Sequence, residues 1–392
     1  MLSKKMSTVT PSFTIGISTK VAEMKRQGID VISLSIGEPD FFTPEKAKEA
    51  GKQAIDQNKT KYDAAPGLLE LRQAIVEKLK TENGLDYQVS DIVVSSGAKH
   101  SITNALMAML DPGDEVLIPK PYWVSYPEMV KLTGGVPVFV ETDKARDFKL
   151  TVADLEKVVT DRTKLIFITN PSNPSGAVYT EDELRPVVDY CVANGIYIIA
   201  DEIYERICYL DSFTSIASLS EEAKAHTIVI NGLSKSASMT GWRIGYTASR
   251  PEIAKAMGSL QGHLVSHPCT IAQWTAKEAL TSCQADTAHM KQAYKARRDQ
   301  ATDILAKMKD VHVVKPDGAF YLFIDLSAYA SKVSHGDSFS IAFCNKLLED
   351  YKVAVVPGIA FGLDGFIRVS YAADIEEIKE GLRRIEELLT SL

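Results

Sequence analysis

The chain is short of the features that staple or anchor a fold. Its 392 residues hold five cysteines, Cys191, Cys208, Cys269, Cys283 and Cys344. They are odd in number, far apart and never paired as C-x-x-C, so neither a disulfide framework nor a zinc knuckle is implied and the thiols read as reduced. No stretch approaches the roughly 18 unbroken apolar residues of a membrane span. The Met1 to Thr10 opening is polar, without the apolar core of a secretion signal. These absences point to a cytoplasmic protein with no membrane partner. Basic residues are not in excess: Lys and Arg number 44 against 51 Asp and Glu, a net charge of −7 that leaves no footprint for nucleic acid. Also missing are G-x-G-x-x-G after a strand, G-x-x-x-x-G-K-[ST] and H-E-x-x-H, so dinucleotide, P-loop and zinc-protease readings lose their usual support, and no metal site is assigned. What remains, at 45% hydrophobic and 24% charged residues, is a globular chain long enough for two domains.

The apolar pattern is α/β. A helix over Pro66 to Lys80 places Leu68, Leu71, Ile75 and Leu79 on one face. The strand Ile92-Val93-Val94, the turn Ser95 to Lys99 and a helix through Ile102, Leu106 and Leu110 follow, stopped by Asp111-Pro112-Gly113. Three more β-branched runs, Leu165 to Thr169, Ile196 to Ala200 and Thr227 to Ile230, are spaced for crossover helices. Continuous apolar strands between helices imply a parallel sheet covered on both faces. After Ile271 long helices take over, and a charged stretch over Ala285 to Lys309 reads as a solvated connector. Short strands at Ala319 to Asp325, Val353 to Val356 and Phe366 to Ser370, with a last helix through Ile375, Ile378, Leu382, Ile385 and Leu388, read as a second, α+β domain.

Ligands of an open parallel sheet bind outside the carboxyl ends of its strands. There Gly97-Ala98-Lys99 opens a helix whose free N–H groups and positive end suit a phosphate, though a tight turn needing small residues explains the segment equally well. Asn170 to Gly176 holds two X-Pro steps that stiffen the loop and fix the Asn173 amide. Asp201 follows an apolar run and is either a paired carboxylate at the sheet's mouth or a helix N-cap, with Tyr204 three residues on. Lys235, in the turn Gly232-Leu233-Ser234-Lys235, is poorly explained as a surface charge; a buried lysine loses basicity and attacks carbonyls. Reactive lysine, carboxylate, amide, phosphate-binding turn and two further cations, Arg243 and Arg368, form the set that pyridoxal phosphate requires.

These residues resemble the class I aminotransferases of fold type I, and the likeness is greatest to the bacterial aspartate aminotransferase branch. It covers nearly the whole chain. The run Gly232 to Gly245 (GLSKSASMTGWRIG) matches the family's lysine signature. Ser33 to Asp40, Tyr62 to Gly67, Pro121-Tyr122-Trp123, Asn173 to Gly176, Asp201 to Tyr204 and Phe366-Ile367-Arg368 match in the family's order.

The resemblance implies a fold type I, mostly parallel large domain over residues 46–285. Residues 1–45 supply an N-terminal arm and part of a smaller α+β domain, which residues 286–392 complete with a connecting helix. It makes Lys235 the Schiff-base lysine and proton-moving base, Asp201 the partner of the pyridinium nitrogen, and Asn173 and Tyr204 the donors to the ring oxygen. Trp123 stacks on the ring, while Ser234, Arg243 and the Gly97-Ala98-Lys99 backbone hold the phosphate. Tyr62 reaches the neighbouring subunit's phosphate, so a homodimer with shared sites is expected. Arg368 grips the substrate α-carboxylate beside the Gly37 backbone, with Trp123 and Asn173 flanking the substrate.

The loop Gln261 to Pro268 lacks the arginine that reads the distal carboxylate in animal and enteric relatives; Lys99, with Thr14 and Ile15 nearby, takes that role in the bacterial branch. Gly232 replaces a phosphate-contacting serine, and His263 and His267 receive no role. The expected reaction moves the amino group of L-aspartate to 2-oxoglutarate in two half-reactions, giving oxaloacetate and L-glutamate. Aromatic, prephenate or broad-range transamination, or C–S lysis, are the alternatives.

Overall fold

The computed structural model describes residues 3–10, 13–333, 336 and 338–392, and all side chains among them except those of 4, 5, 14 and 15. Thirteen strands occur in chain order among these residues. They are β1 (Ile32–Ser33), β2 (Ile92–Ser95), β3 (Glu115–Pro119), β4 (Val136–Val140), β5 (Thr163–Thr169), β6 (Tyr197–Asp201), β7 (Thr227–Gly232) and β8 (Gly245–Ala248). The rest are β9 (His312–Val313), β10 (Tyr321–Asp325), β11 (Val353–Ala354), β12 (Val356–Pro357) and β13 (Phe366–Ser370).

Seven strands make one sheet in the order β2-β8-β7-β6-β5-β3-β4. All neighbours from β7 to β4 are parallel, whereas β8 runs antiparallel to both β7 and β2. The fold is therefore α/β with a mostly parallel, mixed sheet, as expected, and the antiparallel pairings are those of β8. All four residues of β8 are buried, and a Cβ on Gly245 would sit 2.3 Å from the Ala98 nitrogen, so β8 slides directly beneath the turn that opens the helix Ala98–Met109. The sheet is covered on both faces, which is why its central strands are apolar without alternation. Leu165, Phe167 and Ile199 face one core with Ile102 and Met257, while Ile166, Ile168, Ile198 and Ala200 face another with Leu184 and Val188.

The second sheet, β12-β13-β10-β9, is antiparallel. The run Val353 to Val356 is divided, because β11 pairs in parallel with β1 while β12 joins β13. The β1–β11 pair ties an early segment to a late one. The charged run after Ala285 is not solvated throughout: within the helix Gln284–Leu305, Met290, Tyr294, Arg298, Ala301 and Leu305 recur on one buried face. All five cysteines are free, with only Cys269 exposed. No helix among the described residues is long and apolar enough to cross a membrane.

Candidate active site

The carboxyl ends of β5, β6 and β7 lie side by side, and the chain leaving each delivers a polar group to one cleft of about 810 Å³. Asn173, Asp201, Tyr204, Ser234, Lys235, Ala98, Lys99, Trp123 and Arg243 line it from the large sheet, Gly37 and Arg368 from the opposite wall. Asp201 ends β6 and no α-helix follows it, which removes the N-cap reading.

One end of the cleft is built for an anion. The helix Ala98–Met109 starts after Gly97, and its first internal bonds run from His100 and Ser101 to the Gly97 carbonyl (3.0 and 3.1 Å). The N–H groups of Ala98 and Lys99 precede that ladder. Arg243 donates to the backbone carbonyls of Thr240 (2.7 Å) and Ser96 (3.4 Å) and forms no ion pair among the described residues. Gly97 has φ +89°, and a Cβ there would lie 2.3 Å from Arg243 Nη2, so only glycine lets the guanidinium cross the turn.

At the other end Asp201 is buried, and burial pushes its carboxyl pKa up against the bonds that favour its charge. The chief of these comes from the Tyr126 phenol, 2.6 Å from Oδ2. Lys235 is also buried and its ammonium pKa falls to about 8, chiefly through desolvation, with the nearby Glu38 carboxylate opposing that fall. Its Nζ donates to the Gly37 carbonyl at 2.5 Å. In the same cleft the Asn173 amide is oriented by Arg368, whose Nη1 donates to Oδ1 at 3.0 Å; the Asn173 amide hydrogens are thereby left for another acceptor. Tyr204, whose phenol is held well above its ordinary pKa by burial, lies 2.7 Å from the Tyr321 hydroxyl.

Arg368, on β13, is buried with its guanidinium over the Tyr321 and Phe361 rings (4.3 and 5.0 Å). Its Nη2 donates to the Ser35 carbonyl at 2.9 Å, and its Nε has no partner in the structure. A buried cation flanked by ring faces and amides is short of an anion. Lys99 lies on the cleft wall with Nζ 4.9 Å over the Trp123 ring; desolvation, then repulsion from Arg243, lowers its pKa.

Two of the residues singled out from sequence do not line the cleft. Gly97 forms the turn beneath Arg243, and Tyr62 is 91% exposed, packed edge-on against His267 at 5.9 Å. His267 also accepts from the Asp63 N–H at 3.0 Å. The side chains of Thr14 and Ile15 lie outside the described residues. Sequence reading passed over Tyr126, Tyr321, Thr169, Glu38 and Thr240, and the helix Phe13–Arg26, which lends Ser18, Thr19, Ala22 and Arg26 to the cleft rim. Their signal was positional only: Tyr126 follows Trp123 by three residues, and Tyr321 opens a short strand.

The donor set fits pyridoxal phosphate. A cationic N–H cradle suits the phosphate, a buried carboxylate suits a protonated ring nitrogen, and a lysine of lowered basicity lines the same cleft. The class I and II aminotransferase model matches residues 29–385. The chain is 48% identical to a probable aspartate/prephenate aminotransferase of Aquifex aeolicus, covering 100% of this chain and 99% of that one. It is 45% identical to an aspartate aminotransferase of a Bacillus species, with 99% of each covered. Among solved structures, an aspartate aminotransferase of Thermus thermophilus with maleate superposes at a TM-score of 0.93, with 39% identity and 99% of both chains covered. That of Rhizobium meliloti gives 0.94 at 40% identity, covering 99% of this chain and 98% of that one. The fold, the assembled cleft and these likenesses together make the chain a member of the class I and II aminotransferase family, a pyridoxal phosphate-dependent aminotransferase.

Proposed function

We propose that the enzyme moves the amino group of L-aspartate to 2-oxoglutarate, releasing oxaloacetate and L-glutamate in alternate half-reactions. The observation that carries this reading is the pair of cations in one cleft: Arg368 for the α-carboxylate, and Lys99, which forms no ion pair among the described residues, for the distal one. The maleate of the Thermus structure is likewise a dicarboxylate.

In this reading Lys235 Nζ binds the cofactor and takes the proton from the substrate Cα; at a pKa of about 8 it is deprotonated readily enough to act as base near neutral pH. Bound there, pyridoxal phosphate supplies a pyridinium ring that accepts the electron pair left by the Cα–H bond. Asp201, whose buried charge calls for a cation, pairs with the ring nitrogen and keeps it protonated. Asn173 and Tyr204 would donate to the ring oxygen and favour its anionic form. Ser234, Arg243 and the Gly97-Ala98-Lys99 backbone hold the phosphate, and Trp123 packs on the ring. Arg368 grips the substrate carboxylate as a fork beside Gly37, each Nη retaining one hydrogen after its protein bond.

The segments 1–45 and 286–392 act in this reading as a small domain that closes over the cleft and excludes water, an arrangement the Ile32–Val353 pairing supports. Tyr62, exposed and packed on His267, in the same stretch of chain as the exposed Leu264 and Val265, reaches a second copy's phosphate in a homodimer.

A second reading has a specific basis. Prephenate, an oxo acid and so an amino acceptor, also carries two carboxylates, the cleft is roomy, and the Aquifex relative is named for both aspartate and prephenate. The deciding test is the absorbance spectrum of the loaded enzyme before and after L-aspartate, L-phenylalanine or L-alanine without oxo acid, followed by turnover with prephenate. Collapse of the visible band fastest with aspartate supports the proposal. A band that responds to phenylalanine and ignores aspartate overturns it, as does a Lys235→Ala protein that retains the band.

A further inference from the structure

Tyr321 is 1% exposed and stands among three groups the reaction uses, without a part of its own. Its hydroxyl lies 2.7 Å from that of Tyr204. The Arg368 guanidinium sits 4.3 Å over its ring, a diagonal contact across the β10–β13 pair, since Phe323 is the residue directly opposite Arg368. On the third side a Cβ on Gly37 would stand 2.8 Å from the same hydroxyl, so the segment bearing Gly37 closes onto it.

Hydrogen-bond arithmetic gives this cluster a direction. A phenol has one proton to donate and lone pairs that accept. Burial raises the pKa of both phenols, so both are protonated near neutral pH. Two protonated hydroxyls at 2.7 Å share one proton between them, and the second is aimed elsewhere. If the Tyr204 proton goes to the cofactor's ring oxygen, the reading on which this inference rests, the shared proton belongs to Tyr321.

We infer that Tyr321 is a positioning residue for the amino transfer: its hydroxyl donates to Tyr204 and so commits the Tyr204 proton to the ring oxygen, while its ring face holds Arg368 ready for the substrate carboxylate. A donor entering the Tyr204 oxygen polarises the O–H beyond it and strengthens the bond on the far side. An aromatic face steadies the guanidinium without a carboxylate that would compete with the substrate. One side chain thereby links the electronic state of the cofactor to the attitude of the carboxylate clamp.

Two substitutions separate the roles. Tyr321→Phe keeps the ring and removes the hydroxyl. It should move the midpoint of the pH titration of the visible cofactor band upward by about half a unit or more, with KM for aspartate within about twofold of the parent. Tyr321→Met removes the ring as well and should also raise KM for aspartate about tenfold. Tyr204→Phe, titrated alongside, should move the midpoint further than Tyr321→Phe does. An unmoved Tyr321→Phe midpoint beside a shifted Tyr204→Phe midpoint overturns the inference and leaves the Tyr204 assignment standing. Unmoved midpoints in both variants overturn the Tyr204 assignment and the inference with it. An unchanged KM in Tyr321→Met removes the Arg368 half.

Discussion

The phenol of Tyr126 donates to Oδ2 of Asp201 at 2.6 Å, and Thr169 in turn meets the same phenol oxygen at 2.8 Å. Stacking on Phe167 at 4.1 Å holds the Tyr126 ring in place. The bond matters because burial works against the Asp201 charge and Tyr126 is the largest influence favouring it. Replacing Tyr126 with Phe should leave the stack and remove the donor. The Asp201 pKa then rises, so the acid limb of the kcat/KM profile should move to higher pH. At the optimum kcat/KM should fall about 10- to 100-fold, the value of a hydrogen bond to a charged group. A profile superimposable on the parent's would show that Asp201 needs no support from Tyr126.

Lys99 is the test of acidic-substrate preference. Losing a charged contact of about 1.5 to 3 kcal/mol should lower kcat/KM for aspartate roughly 10- to 150-fold in Lys99→Ala. Turnover of phenylalanine, which has no distal carboxylate, should change little. Equal losses for both donors would mean that Lys99 serves the cofactor or the fold and not the substrate side chain.

Gly97→Ala places a methyl 2.3 Å from Arg243 Nη2 at a residue with φ +89°. The backbone strain and the displaced guanidinium both act on the anion end of the cleft. Equilibrium titration with pyridoxal phosphate should show affinity weakened by about tenfold or more. Unaltered affinity would assign Arg243 another function.

Glu202, next to Asp201, points away from the cleft and is held by the Ser215 hydroxyl (2.9 Å to each carboxyl oxygen) and the Ile216 N–H (2.9 Å). Burial, followed by the Glu205 charge, raises its pKa from 4.5 to about 8. A raised carboxyl pKa means the folded state binds the proton more tightly. Its stabilising effect is complete below the ordinary value of 4.5 and is lost as pH climbs toward about 8. Glu202→Gln cannot ionise, so its Tm relative to the parent should be higher at about pH 9 than at about pH 5. A difference in Tm that does not vary with pH would place the Glu202 titration elsewhere.

Much of the site was legible because its chemistry is concentrated in short runs. Gly232 to Gly245 and Asp201 to Tyr204 carry reactive groups directly after apolar strands, and strand ends are where an open sheet presents ligands. The antiparallel β8 was not legible: a four-residue strand, Gly245–Ala248, has no periodicity to distinguish direction, and its place depends on a glycine fitting under a turn. The division of Val353 to Val356 between two sheets was hidden likewise, since each half pairs with a segment far away in the chain. The buried face of the helix Gln284–Leu305 was masked by charge, because a stripe of one residue per turn leaves the remaining positions free to be polar.

The sequence by itself determined the class of fold, the cores of the central strands and the lysine, carboxylate, amide and arginines that the family uses, because each follows from local pattern and residue chemistry. Only the tertiary structure decided which groups support them. Tyr126 reaches Asp201 across 75 positions of sequence and Tyr321 reaches Tyr204 across 117. Neither pairing has a local signature, since a tyrosine in a helix or on a strand looks like core until the sheet order, the burial and the direction of its one hydroxyl are known.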